Sequence, residues 1–229
     1  MLATLLIRKR EGNHLPYIGS NLTIDNNSNW RIVMSEHERE SVIKIKDITA
    51  GAGALGLLGY GMTGVLLGLA NAGLIEVGSM ILGMVIFYGG IAQFVAGLME
   101  WKKGNTYGMV AYASYGLFWF SFGALLLLPV LGLAKTTGGP AAIAAYLALW
   151  GIFTTILFIG SLKMSKALQF VLGTLALLFF LLAAGAATGN STLTMIGGYV
   201  GIISGFAAIY TALAPVLNDI YGRDIAPLG

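Results

Sequence analysis

The placement of charge constrains this chain more than any other feature. From Gly51 onward only ten side chains are formally charged: Glu76, Glu100, Lys102, Lys103, Lys135, Lys163, Lys166, Asp219, Arg223 and Asp224. The intervals between them hold six apolar stretches, none with an acid, a base or a histidine inside it, Lys166 standing at the edge of the fifth. Each is near the roughly 20 residues a helix needs to cross a bilayer core. Hydrocarbon offers no partner to an open backbone, so such stretches must be helices, which satisfy their own amides. The pattern predicts an all-α integral membrane protein whose six transmembrane helices form a bundle, with spans at about 51–73, 78–99, 107–133, 141–161, 166–188 and 193–216. Turn material separates them, including Lys102-Lys-Gly-Asn105 and Thr136-Thr-Gly-Gly-Pro140.

Bulk composition agrees, with 10% charged residues against about 25% in a soluble domain. The 33 glycines are about twice the usual share of ~7%, without collagen-like periodicity. Their use is close helix contact, because lipid supplies no hydrophobic drive for association and backbones must approach to gain van der Waals energy. Gly64-x-x-x-Gly68, Gly185-x-x-x-Gly189 and Gly197-x-x-x-Gly201-x-x-x-Gly205 each put bare backbone on one face. Packing within one protomer and packing between protomers both fit that spacing.

Residues 1–49 are a different material, with seven of the thirteen Lys and Arg, six of the ten acids, and both histidines, His14 and His37. They read as a polar N-terminal cytoplasmic segment, partly disordered, in which the Asn- and Ser-rich run 21–29 is loop or disorder. The apolar opening before Arg8-Lys9-Arg10 has the wrong order for a signal peptide. Met34 is an alternative start to Met1. The transport domain then spans 50–217, and 218–229 form a short cytoplasmic tail. Counting bases in short loops sets orientation. The side of the N-terminus collects Lys44, Lys46, Lys102, Lys103, Lys163, Lys166 and Arg223, the other side Lys135 alone. Both termini are expected in the cytoplasm.

Ion pumps and proton-coupled carriers commonly show acids, bases or histidines inside their spans; here the spans carry hydroxyls and amides instead, among them Thr63, Gln93, Tyr115, Thr154, Thr155, Ser204 and Tyr210. Neutral groups suit fast, low-affinity passage of a small solute. A Ser or Thr can equally bond the carbonyl one turn back in its own helix, the favoured role for Thr154 and Thr155. Gln93 needs partners on another helix or in a wet cavity, so helix contact and pore lining both fit it. Zinc-type His spacing, a Ser/His/Asp set and paired carboxylates are all missing from the spans, which argues against an enzyme. The Gly-rich run from Gly51 lacks the Lys-Ser/Thr of a phosphate loop. No cofactor, metal or nucleic acid is expected. The lipid bilayer is the expected surrounding.

Several segments carry a resemblance: Leu55-Gly-Leu-Leu-Gly-Tyr-Gly-Met-Thr63, Ile86-Phe-Tyr-Gly-Gly-Ile-Ala-Gln93, Glu100-Trp-Lys-Lys-Gly-Asn-Thr106, Ala113-Ser-Tyr-Gly116, Leu149-Trp-Gly-Ile-Phe-Thr154, Leu168-Gln-Phe170, Ala208-Ile-Tyr210 and Val216-Leu-Asn218. In this order and spacing the chain, over about residues 50–229, resembles the acetate uptake transporter family, or succinate–acetate permeases (YaaH-like proteins). The resemblance implies a pore in each protomer, a homo-hexamer, a plasma-membrane location, and passage of acetate or another small carboxylate, with succinate a candidate. It implies a substrate path narrowed by Tyr60, Tyr115 and Leu175. Thr63 is expected to offer a hydroxyl to the substrate carboxylate. Gln93 and Ala208 match positions on or near the path, Ala208 by setting its width. Two departures stand out: Gly51-Ala-Gly-Ala54 occupies the place of the family's Asn-Pro-Ala-Pro, and Tyr60 replaces a Phe, adding a hydroxyl expected to ease passage of a polar solute. Glu100, Lys102, Lys103 and Asn105 match the family's cytoplasmic loop, as an interface anchor with a loop cap or as an attraction for anions. Asn218 and Arg223 are expected to be structural. A channel for another solute such as ammonium and a non-transporting acetate sensor are the alternatives.

Overall fold

The computed structural model describes residues 21–24, 30–33 and 50–229. The chain divides into two compact units, residues 1–49 and 50–229. In the first, strands β1 (Asn21–Ile24) and β2 (Trp30–Val33) pair antiparallel, Asn21 opposite Val33 and Ile24 opposite Trp30. This corrects the loop reading of the run beginning at Asn21. Thr23, Ile24, Trp30, Ile32 and Val33 carry the β propensity that the Asn content masks. The alternative start at Met34, the disorder expected for parts of the leader, and the opening through Arg10 lie outside the described residues.

The second unit is six helices long and apolar enough to cross a membrane. They are α1 (Gly53–Asn71), α2 (Ser79–Lys102), α3 (Thr106–Val130), α4 (Gly139–Ser161), α5 (Lys166–Thr188) and α6 (Ser191–Tyr221). Side chains cap three starts. Asn105 accepts from Gly108 N at 3.0 Å, Ser165 from Leu168 N at 3.3 Å, and Asn190 from Thr192 N at 2.9 Å, satisfying amides that a helix leaves open at its N-terminus. α2 runs in three pieces, an α turn, a π-helical stretch over Met84–Ala92, and α-helix from Gln93. α6 outruns the expected span end at 216. Pro215 is accommodated within it and the helix stops at Gly222, which takes a φ of 61°, a conformation glycine adopts without a Cβ penalty.

Beyond α6 the chain folds back. Asn218 Oδ1 accepts from Ile225 N and Ala226 N, and its Nδ2 donates to Ala226 O. Leu228 O and Gly229 O accept from the first amides of α5, Ala167 and Lys166. Tyr210 donates to Pro227 O.

Backbone proximity runs in the ring order α4–α5–α6–α1–α2–α3. α1 and α6 lie closest together, and glycines are the reason. A Cβ on Gly61 would stand 2.8 Å from Gly205 O, and one on Gly68 would stand 2.9 Å from Gly198 O. Gly197 faces Leu182 and Gly185 faces Thr194, so these motif glycines serve contacts within one protomer. Between α3 and α4 the backbones stand further apart and side chains fill the seam. Phe118 stacks on Tyr146 and meets Trp150 edge-on, and Tyr115 meets Phe153 edge-on, arrangements aromatic rings favour. Outward-facing Phe87, Val130, Leu149 and Ile220 are exposed, the surface a bilayer would cover.

Candidate functional site

Two cavities lie inside the ring. The larger, about 220 Å³, reaches from the middle of the bundle to the side of Asn71 and Thr194, opposite the N-terminus of α1. The smaller, about 130 Å³, reaches the other side, where Asn105 and Met164 line it. Three residues line both: Tyr60, Tyr115 and Leu175. They come from α1, α3 and α5, every second helix of the ring, and all three side chains are buried.

The local sequence explains how each is aimed. α1 presses on α6 through Gly61 and Gly68, and on α2 through Gly59, where a Cβ would stand 2.8 Å from Tyr88 O. With both flanks against backbone, Tyr60, which stands between Gly59 and Gly61, is left to point inward. On α2 the π-helical turn contains Gly89 and Gly90, against which Trp119 and Phe120 of α3 pack at distances no Cβ would permit. That contact fixes the rotation of α3 and with it Tyr115. π-helical insertions cluster at functional sites, and this one ends at Gln93.

Hydroxyls on the intervening helices meet the two tyrosines. Tyr60 donates to Ser204 Oγ of α6 at 2.8 Å, so the hydroxyl expected to ease a polar solute is turned onto a neighbouring helix. Ser204 donates to Val171 O of α5 at 3.1 Å. The Tyr115 hydroxyl lies 2.8 Å from Thr154 Oγ1 of α4, and Thr154 donates to Trp150 O at 2.7 Å. Thr155 bonds Gly151 O in the same way. Ser204 stood only in the polar inventory of the sequence. The signal for it is the buried small-residue stripe Gly201, Ser204, Gly205 and Ala208, spaced three and four apart on one face.

Other expected residues fall in different places. Gln93 is fully buried and lines the smaller cavity, and its Oε1 has no hydrogen-bond partner. Thr63 lines neither cavity. It is fully buried and donates to Met84 O at 3.4 Å, where the π-helical turn begins. Ala208 also lines neither cavity and sits in the packed core with Tyr60, Leu172 and Leu175. The two residues sit at helix contacts, Thr63 one turn from Tyr60 and Ala208 one turn from Ser204.

The loop from α2 to α3 is a closed turn. Asn105 Nδ2 donates to Glu100 Oε2 at 2.6 Å and Asn105 N to Glu100 O at 3.0 Å, while Gly104 takes a φ of 72°. Glu100 is buried under this cap and Lys103 reaches Ala50 O. The aromatic seam of α3 and α4 brings Phe118, Trp119 and Tyr146 to the larger cavity, a place that sequence reasoning did not assign to any of the three. Trp119 Nε1 is buried without a partner. Among the described residues no three His, Cys, Asp or Glu side chains come together.

Known proteins resemble this chain. An uncharacterized protein of Methanothermobacter thermautotrophicus is 50% identical over 82% of this chain and 96% of its own. The succinate-acetate/proton symporter SatP of Escherichia coli K12 is 49% identical over 79% of this chain and 95% of its own. The solved structure of a bacterial acetate channel, SatP, superposes with a TM-score of 0.77 at 48% identity, over 79% of this chain and 99% of that one. Residues 40–221 match the GPR1/FUN34/yaaH family. This chain belongs to that family.

Proposed function

We propose that this protein is a transport protein, rather than an enzyme, that passes acetate and related short carboxylates, succinate included, across the membrane through each protomer. The observation that carries the reading is the pair of cavities on opposite sides of the bundle, which share Tyr60, Tyr115 and Leu175 as the wall between them. The named relatives, a succinate-acetate/proton symporter and an acetate channel, supply the substrate class.

In this reading the cavities are vestibules and the three shared residues are the constriction. A narrow apolar ring gates by excluding water. A carboxylate must shed hydration to pass it, and an ion taken from water into a protein interior loses several kcal/mol. Gln93 lines the smaller vestibule and is its polar handle: an amide NH2 there would donate to a carboxylate, and the amide oxygen, unpaired in the structure, would accept from water. Thr63 and Ala208 hold the walls, Thr63 by tying α1 to the π-helical turn and Ala208 by its small size beside Ser204.

The smaller vestibule and both termini face the cytoplasm in this reading, supported by the count of loop bases, and the plasma-membrane location is carried over from the resemblance. The homo-hexamer is carried over from the resemblance, and the mass of the complex released intact from native membranes tests it. Uptake of labelled acetate into liposomes bearing the purified protein, with and without a pH gradient, tests the function, with succinate, propionate and ammonium as competitors. Acetate uptake that depends on protein and is displaced by carboxylates alone is the expected result. Displacement by ammonium alone refutes it.

A further inference from the structure

The larger cavity is walled mostly by apolar side chains, and most of the polar groups among them are already engaged. The hydroxyls of Tyr60, Tyr115 and Tyr146 meet those of Ser204, Thr154 and Ser121 at 2.8, 2.8 and 2.7 Å, and the Trp119 indole nitrogen is closed to solvent. Two side chains remain, Asn71 of α1 and Thr194 of α6, both lining the cavity at the end away from the constriction. Neither side chain has a hydrogen-bond partner among the described residues, and the polar atoms of neither are closed to solvent. The threonine is an exception in this bundle. Thr155, Thr174, Thr188 and Thr211 each donate to a carbonyl one turn back in their own helix, the common fate of a helical hydroxyl. Glycines place the pair. A Cβ on Gly198 would stand 2.7 Å from the carbonyl carbon of Asn71, so the end of α1 lies on α6 one turn from Thr194. A Cβ on Gly185 of α5 would stand 2.6 Å from Thr194 Oγ1. That hydroxyl therefore rests on bare backbone beside Ala186, which lines the same cavity.

Asn71 brings two amide N–H donors and Thr194 one O–H donor, whereas a carboxylate has acceptors only. No acid lines the cavity to repel an anion. We propose that Asn71 and Thr194 form a carboxylate site at the mouth of the larger vestibule, where the solute exchanges part of its water for protein donors before it meets the apolar walls. This rests on the carboxylate reading above, and it gives the larger vestibule a counterpart to Gln93 in the smaller one. Neutral donors hold an anion weakly, which suits a site that must release its occupant at each passage. Along α1, Asn71 lies about 16 Å from Tyr60 at 1.5 Å per residue. A carboxylate of two to four carbons held at the mouth thus leaves the constriction empty, and loading and crossing are separate steps.

The chain has no cysteine, so one introduced thiol reports on the site without transport. Ala186→Cys, in the full chain in lipid nanodiscs, is labelled with iodoacetamide at fixed pH and ionic strength. Increasing acetate or propionate should slow labelling to a plateau, whereas chloride should not. Adding Asn71→Leu or Thr194→Val should each raise the half-protecting acetate concentration about tenfold, the loss of one hydrogen bond to a charged group. Thr194→Ser, which keeps the hydroxyl, should leave it unchanged. If Asn71→Leu fails to assemble, the Thr194 pair still decides. Acetate uptake into liposomes by the wild type is measured alongside. Uptake without protection of the thiol, or protection that neither Asn71→Leu nor Thr194→Val weakens, overturns the site and leaves the carboxylate reading standing. Protection by ammonium in place of acetate, or absence of protein-dependent acetate uptake, refutes the carboxylate reading and the site with it.

Discussion

Leu175→Ala is the sharpest perturbation of the path. Leu175 is 3% exposed and lies between cavities of about 220 and 130 Å³. Truncation removes three heavy atoms at the one level where the cavities are separate, opening room for about two waters at ~30 Å³ each. Stability should fall by about 2–3 kcal/mol, the low end of the range for a buried Leu→Ala change, because one side of Leu175 already borders open space. A solute that keeps one water through the ring retains a hydrogen bond worth about 1–1.5 kcal/mol, and each 1.4 kcal/mol lowers the barrier enough for about a tenfold rise in rate. Initial uptake of labelled acetate in liposomes should rise about tenfold, and that of succinate and butyrate by more. Leu172→Ala is the control. Leu172 is buried against the smaller cavity only, so its loss should cost similar stability without raising flux. A folded Leu175→Ala protein with wild-type flux and wild-type size preference would show that the barrier lies elsewhere.

Three further outcomes are expected. Gly205→Ala places a Cβ 2.6 Å from Val65 Cγ2 and 2.8 Å from Gly61 O, so α1 and α6 must separate; thermal unfolding in detergent should report a loss of about 1–3 kcal/mol, and an unchanged Tm would count against the glycine contact. Gln93→Leu removes the amide of the smaller vestibule, and loss of a hydrogen bond to a charged group, worth about 1.5–3 kcal/mol, should raise the half-saturating acetate concentration at least about tenfold; unchanged saturation would remove Gln93 from the path. Asn218→Ala frees the amides of Ile225 and Ala226 and the Ala226 carbonyl at a cost of about 1–2 kcal/mol, and limited proteolysis should then cut residues 222–229 faster while sparing α1 to α5.

Part of this was legible because it depends on residues one at a time. Whether a stretch enters hydrocarbon is close to a sum of side-chain transfer energies, so the ten charges located six spans to within a few residues. Helix ends were less legible. The last span reads to about 216 with a tail from 218, yet the helix runs to Tyr221 and stops at Gly222, since the folded tail supplies the partners that prolong it. The β pairing at Asn21–Ile24 escaped a reading that weighed Asn and Ser content over strand propensity.

The sequence by itself determined a six-span helical membrane protein, its family, and an interior without charge. Only the tertiary structure decided which neutral groups meet. Tyr60 finds Ser204 across 144 residues and Tyr115 finds Thr154 across 39, while Thr63, one turn from Tyr60, is spent on Met84 O. Helical periodicity states which residues share a face. The rotation and depth of each face against its neighbours are set by packing, here by Gly59, Gly61 and Gly68 on α1 and by the π-helical turn of α2 under Trp119. Hydrogen bonds reach only about 3 Å, so a small change in that rotation decides whether a hydroxyl proton faces the path or the wall.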